Sequence, residues 1–169
     1  QTWENGVDVE IREGIAVAFK LAVETFRKSD ALAFSYLKYL PSVGEISDPF
    51  FRPLTDSIVG QLSQTECLPS EGGQWKRPCD LRIADQHFRD LFPPAVAMEL
   101  FGFDYVDHRV QGGNDLLRRL GAKNITFADI FGLFKLHGNW LKRQPLEWKA
   151  RFYAMLAELD IQKLVPGLL

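Results

Sequence analysis

The sequence predicts a mainly α-helical fold with one small β-hairpin, a compact helical domain, and three observations carry that reading. Apolar residues recur at spacings of three and four near both ends of the chain. Pro and Gly cut the middle into short helical lengths, and one Gly-Gly turn sits between two runs that alternate with a period of two. With 169 residues, 46% hydrophobic content, four Trp and thirteen Phe, the chain has the material for a sizeable core. A domain of this size buries roughly 70% of its unfolded surface, so no disulfide or metal staple is needed.

Taken in order, Val7, Ile11, Ile15, Phe19, Ala22 and Phe26 form one apolar stripe and predict a helix from about Val7 to Lys28. A second short helix spans Leu32–Leu40 and stops against Pro41. The stretch PSVGEIS is a loop, and Ser47-Asp48-Pro49 opens a third helix with a capping side chain and Pro in its first turn. Phe51, Leu54, Ile58 and Leu62 line the buried face of that helix.

The hairpin falls at about residues 66–83, around SEGGQWKRPCD. Trp75, Cys79, Leu81 and Ile83 follow the strand period, and the Glu-Gly-Gly-Gln segment makes the turn because glycine accepts the positive φ that tight turns demand. Cys67 and Cys79 lie symmetrically about Gly73, which predicts two buried small side chains on one side of the ribbon. Trp75 is expected to fold over the hairpin or onto a neighbouring helix. Two glycines beside two cations also suggest a phosphate cradle, but such loops lead from a buried strand into a helix N-terminus. Here they lead into a second strand-like run and Pro78, so the loop turns the chain.

Beyond the hairpin, Asp85–Leu91 and Pro93–Phe101 read as two short helices split by Pro93-Pro94, and GFDYVDHRV is extended. A short helix, Asp115–Leu120, follows Gly112-Gly113-Asn114 and ends at Gly121. Thr126-Phe-Ala-Asp129 has the form of a capping box with Asp in place of Glu and opens a helix to about Leu136. Leu146, Trp148, Phe152, Met155, Leu156 and Leu159 are the buried stripe of a last helix after Pro145. No long linker, low-complexity tract or internal repeat divides residues 1–169, which read as a single helical module. The chain begins with Gln rather than Met and is expected to be a piece of something longer.

Twenty Lys plus Arg against twenty-two Asp plus Glu give a net charge of −2, so no overall basic field draws the chain to nucleic acid or an anionic membrane. Two cysteines make neither a disulfide framework nor a zinc pattern. The first residues are polar and acidic, and no apolar run approaches the ~20 residues of a membrane span. The expectation is an intracellular chain, cytoplasmic first and nuclear second.

Asp104, Asp107 and His108 are the candidate polar site, since carboxylates beside an imidazole bind metal or move protons, and they define the alternative of a small metal-dependent hydrolase. Their spacing matches no established metal motif, and no H-E-x-x-H accompanies them. His87, between Asp85 and Asp90, reads as a solvated helix residue, and His137, before Gly138-Asn139, as a helix end. There is no G-x-S-x-G, and neither cysteine adjoins a histidine in sequence. Arg118-Arg119 and Lys142-Arg143, with Trp140 nearby, offer small basic patches for nucleic acid, and such pairs are also ordinary on solvated helix faces. The residues therefore assign no catalytic, cofactor-binding or metal position.

Three segments in order, YLKYLPSVGEISDPFFRPL, TECLPSEGGQWKRPCDLRI and LLRRLGAKNITFADIF, resemble a region of very large proteins of the sacsin and NO VEIN type, over roughly Ala31 to Trp148. In that family a segment ending in a Y-L-P phrase leads to a helix, then a Cys-Leu-Pro hairpin with a downstream Trp, then a short helical unit. The resemblance implies an upstream ATP-binding domain of the GHKL fold, with ATP and Mg held there, and chaperone-like or assembly roles. The ATP-site patterns, an acidic residue and Asn on one helix and a later D-x-G-x-G loop, do not stand in this sequence, and Glu4-Asn5 is a poor match. The resemblance thus implies a non-catalytic scaffold or interaction module that relays nucleotide state or contacts client proteins, partners or neighbouring domains.

Overall fold

The computed structural model describes residues 7–40 and 51–158. The PSVGEIS loop, the Ser47-Asp48-Pro49 helix start, Glu4-Asn5, Leu159 and the side chains of Val7 and Phe51 lie outside the described residues. Within them the chain is mainly helical, as the sequence predicts: α1 (Val7–Phe26), α2 (Asp30–Ala33), α3 (Phe51–Ser63), α4 (Gln86–Leu91), α5 (Pro94–Phe101), α6 (Asn114–Leu120), α7 (Phe127–Leu136), α8 (Gly138–Arg143) and α9 (Leu146–Glu158). Five very short strands accompany them: β1 (Leu68–Pro69), β2 (Trp75–Lys76), β3 (Leu81–Ile83), β4 (Asp104–Tyr105) and β5 (Lys123–Asn124). The chain forms two compact units, one from the chain up to Ile83 together with Asp104–Asn124, the other from Ala84–Phe103 and the chain from Ile125 onward.

In the first unit α1 packs along α3, and α6 closes on α3 and on the turn at Pro78–Asp80. The core gathers Ala16 and Val23 from α1, Ile58 and Leu62 from α3, Leu68, Leu81 and Val106 from the strands, and Leu117 and Leu120 from α6. The expected stripe on α1 is correct only in its second half. Phe19 and Phe26 pack on the core, but Ile11 and Ile15 are exposed, and the buried positions beside the aromatics are Ala16 and Val23.

The helix expected over Leu32–Leu40 is two pieces, α2 and a 3-10 turn at Tyr36–Tyr39. The Ser35 hydroxyl donates to the Ala31 carbonyl at 2.6 Å, one of the side-chain bonds that compete with helix continuation. The adjacent Tyr36 and Leu37 of this turn are both buried in the core.

The hairpin is confined to β1 and β2, antiparallel, with Leu68 opposite Lys76 and Pro69 opposite Trp75. Its turn uses Gly73 at φ 77°, a left-handed conformation suited to glycine. Trp75 is half-buried against the core with the Arg27 guanidinium 5.0 Å from its ring centroid, in keeping with the expected fold-back. The second arm corrects the expected ribbon of residues 66–83. Pro78 opens a 3-10 turn, Pro78–Asp80, and takes the buried place that strict alternation gave to Cys79, so Cys79 is exposed while Cys67 is buried. Leu81–Ile83 then enters a different sheet. That sheet, unforeseen from the sequence, is parallel, with β3 between β4 and β5.

The second unit is built on aromatic packing. Phe92 is fully buried, with ring centroids at 4.8 Å from Phe88, 5.1 Å from Phe101, 5.4 Å from Trp148 and 5.9 Å from Phe152. Trp148 on α9 donates its indole N–H to the Leu91 carbonyl at 3.0 Å, tying α9 to the end of α4. Asp85 caps α4 by accepting from the Phe88 N–H at 2.8 Å, and the Thr126–Asp129 capping box opens α7 as expected. His137 ends α7 and leads directly into α8, a helix not expected from the sequence. On α9, Phe152 and Met155 are buried and Trp148 and Leu156 half-buried, but Leu146 is 83% exposed at the helix start.

Candidate functional site

Asp104, Asp107 and His108 lie on the segment that joins the hairpin to the parallel sheet. Val106 donates to the Arg82 carbonyl on β3 at 3.0 Å, while on the other side Asp107 donates to the Pro69 carbonyl at 3.0 Å and Glu71 to the Tyr105 carbonyl at 3.1 Å. Ser70 and Val106 form the bridge between the two small sheets. The segment is thus held on both sides by backbone bonds, which fixes the directions of its three polar side chains.

Asp104 is buried. Its Oδ1 accepts from the Tyr105 N–H at 2.8 Å, and its Oδ2 accepts from the Lys76 ammonium at 3.1 Å. Asp107, also buried, receives a fork from Arg109: Nε reaches Oδ1 at 2.9 Å and Nη2 reaches Oδ2 at 2.7 Å, and the Arg109 backbone N–H adds a third bond at 2.9 Å. Burial pushes the Asp107 carboxyl upward, but the hydrogen bonds and charge of Arg109 outweigh it and hold the group below the ordinary carboxylate value. The same guanidinium sits 4.0 Å from the Phe34 ring centroid, and Gln111 donates to the Phe34 carbonyl at 2.6 Å, so the turn after Asp107 is fastened to the end of α2.

His108 turns outward. Its Nδ1 lies 3.0 Å from Glu71 Oε1, which also accepts the His108 backbone N–H at 3.2 Å. Each of the three candidate residues has a first partner elsewhere, Asp104 with Lys76, Asp107 with Arg109 and His108 with Glu71, while His108 Nδ1 also lies 3.8 Å from Asp107 Oδ1. Each bond crosses or stiffens the junction of the hairpin with the 104–109 segment. Among the described residues no group of three or more His, Cys, Asp and Glu side chains is placed to hold a metal ion.

The basic residues divide between the units. Arg118 pairs with Asp115 at 2.5 Å and reaches Asn124 at 3.4 Å, and Arg119 pairs with Asp56 on α3. Both guanidinium groups are engaged by acids within their own unit. Lys142 and Arg143 end α8 in the other unit and are exposed. His87 is exposed on α4, as expected. Cys67 is buried, with its thiol 3.3 Å from the Leu62 carbonyl and its own carbonyl accepting from the Tyr36 hydroxyl. Burial pushes the Cys67 thiol up to about 11, an unreactive state at neutral pH, and raises the Tyr36 phenol as well.

One feature of the second unit was not singled out from the sequence. Residues of α7, α8 and α9 line an open groove of about 510 Å³, with Phe134, Leu141, Trp148 and Tyr153 on its walls and Lys142 and Lys149 beside them. The residues with a sequence signal were there, aromatic positions at helical spacing, but that pattern is the same for a buried face and for one left open.

Among the described residues no helix is long and apolar enough to cross a membrane. No protein-family model matches the chain, and no solved structure matches it. Protein NO VEIN of Arabidopsis thaliana is 32% identical to it over 120 residues, which cover 68% of this chain and 4% of that protein. The chain thus spans a small part of the length of the curated relative it matches, and its similarity is to one segment of NO VEIN.

Proposed function

We propose that this chain is a non-catalytic contact module of a very large, sacsin- and NO VEIN-like protein, in which it relays the state of an upstream ATP-binding domain or contacts partner and client proteins. The observation that carries this reading is the engagement of its buried carboxylates. Asp104 and Asp107 are held by Lys76 and Arg109, and those bonds fasten the hairpin to the strand segment behind it. This is how a rigid platform is made, with charge used to fix geometry rather than to meet a substrate. The similarity to a segment amounting to 4% of a large plant protein supports the modular setting. ATP and Mg belong, in this reading, to the parent protein and not to this segment.

Two measurements test it. An antibody raised against these residues should detect, in the source cells, a protein far above 19.3 kDa; a band near that mass removes the parent protein from the proposal. A purified parent protein containing its nucleotide domain should bind or hydrolyse ATP differently when residues corresponding to this chain are deleted. Unchanged ATP binding and hydrolysis overturn the relay and leave only partner contact.

A further inference from the structure

We propose that the groove formed by α7, α8 and α9 docks an acidic segment of a partner protein that carries an aromatic or aliphatic anchor, an inference that rests on the contact-module reading and gives its partner a chemistry. The groove has the dimensions of a pocket for a few side chains, about 510 Å³, and opens to solvent. Its aromatic wall is fixed in place. The Trp148 ring stacks on Phe152 at 5.0 Å with 18° between planes, and its N–H is held by the Leu91 carbonyl. A ring that is already ordered loses little entropy when a ligand covers it, which is the property of interface anchors.

The apolar surface does not end at the groove. Phe127, Phe131 and Phe134 recur at spacings of four and three on α7, and they are 37%, 58% and 38% exposed. Phe127 and Phe131 pack ring on ring at 6.0 Å, and Phe134 belongs to the groove wall. Tyr153, 60% exposed, stands on α9 in the groove. An apolar strip next to a pocket fits a short amphipathic segment laid along α7 with one side chain inserted.

Charge selects the partner. Between residues 130 and 151 the chain carries Lys135, Lys142, Arg143 and Lys149 against the acid Glu147, while Arg151 is paired with Asp90 at 3.7 Å and Asp129 stands in the first turn of α7. Lys142 and Lys149 are at the groove itself, and the Lys149 ammonium donates to the Lys142 carbonyl at 2.8 Å, which holds that cation in place. Two cations beside an apolar floor favour glutamate or aspartate flanking a hydrophobic anchor and disfavour a basic segment, and they steer the encounter.

The test uses the 169-residue chain and fluorescein-labelled synthetic peptides read by anisotropy: one alternating Glu with Trp and Leu, one with Lys in place of every Glu, and one with Ser in place of Trp and Leu. Only the first should bind. Lys142→Glu and Tyr153→Ala, both exposed substitutions, should weaken it by about tenfold or more, and Lys123→Glu in the other unit should leave it unchanged. Binding of the basic peptide instead, or acidic-peptide binding indifferent to Lys142→Glu and Tyr153→Ala, overturns the groove assignment while leaving partner contact elsewhere open to the ATP and mass measurements above. Binding by none of the peptides overturns it too, as does a single-stranded oligonucleotide that binds more tightly than the acidic peptide. Sedimentation that shows a dimer lost in Tyr153→Ala makes the occupant a second copy. Peptide binding that appears only after residues 159–169 are removed makes it the chain's own C-terminal stretch, and either result overturns an acidic partner.

Discussion

Asp104 stands where a side chain at residue 72 would have to go: a Cβ built on Gly72 would meet its Oδ2 at 2.7 Å. The turn closes this tightly because the buried carboxylate is held from beneath by Lys76 and by the Tyr105 N–H. Gly72→Ala should therefore lower stability by about 1–3 kcal/mol, the usual cost of forcing an extra carbon into packed space. Urea denaturation measures it, and the cost should shrink in an Asp104→Ala background, where the obstructing oxygen is gone. Equal costs in both backgrounds would mean that the contact is not what excludes a side chain.

Asp107 and Arg109 give a pH dependence with a definite sign. The folded carboxyl lies below its unfolded value of about 3.9, so its contribution is complete at neutral pH and is lost as pH falls below about 4 and through the folded value. Asp107→Asn should be less stable than the native chain by about 1–2 kcal/mol at pH 7. The gap between the two stability curves should narrow as pH falls below about 4 and through the folded value. A gap that stays constant across that range would detach the pair from acid unfolding.

The cysteines should react in sequence. Exposed Cys79 should be modified by an aromatic disulfide reagent in the native state, and Cys67 only on unfolding, giving one equivalent and then a second in denaturant. The raised Cys67 thiol also sets an alkaline limit. Its folded value of about 11 exceeds the unfolded one, so the stability it lends is complete below about 8.5 and is lost as pH rises through 11. Cys67→Ala should flatten that alkaline decline.

Phe92→Ala should cost about 3–5 kcal/mol, the range for a large aromatic removed from a filled core. Trp140 and Trp148 have ring centroids 6.1 Å and 5.4 Å from Phe92, so their fluorescence should report the loss. Trp75→Ala in the other unit should cost less, about 2–3 kcal/mol, because that ring is only half-buried and part of its contact is with Arg27. A larger effect for Trp75 than for Phe92 in thermal or urea unfolding would contradict these two cores.

What the sequence made legible were features specified by neighbours in the chain. The Thr126–Asp129 box, the Gly72-Gly73 turn and the Pro93-Pro94 break each depend on a few consecutive residues, and each has its expected place. The strands of the parallel sheet have two or three residues, too few to show a period, and β3 takes both of its partners from far along the chain. Cys79 was misplaced because alternation takes no account of the turn that Pro78 starts. The polar site was legible in its residues and not in its role: Asp104, Asp107 and His108 are close in sequence, but Lys76 and Glu71, which decide what two of them do, come from the hairpin. The groove was hidden for another reason, since helical spacing tells which residues share a face and not whether another helix covers it.

The central position of β3 limits how this chain can be made and cut. Leu81–Ile83 gains one neighbour from Asp104–Tyr105 and the other from Lys123–Asn124, with the helices of Ala84–Phe103 emerging from the ribosome in between. A nascent chain therefore holds its first hydrophobic cluster without a finished edge until Asn124 has been translated. For the same reason any split, truncation or transplanted boundary placed between residues 83 and 124 strands one half of a sheet, and a piece meant to survive on its own must carry the first unit through Asn124.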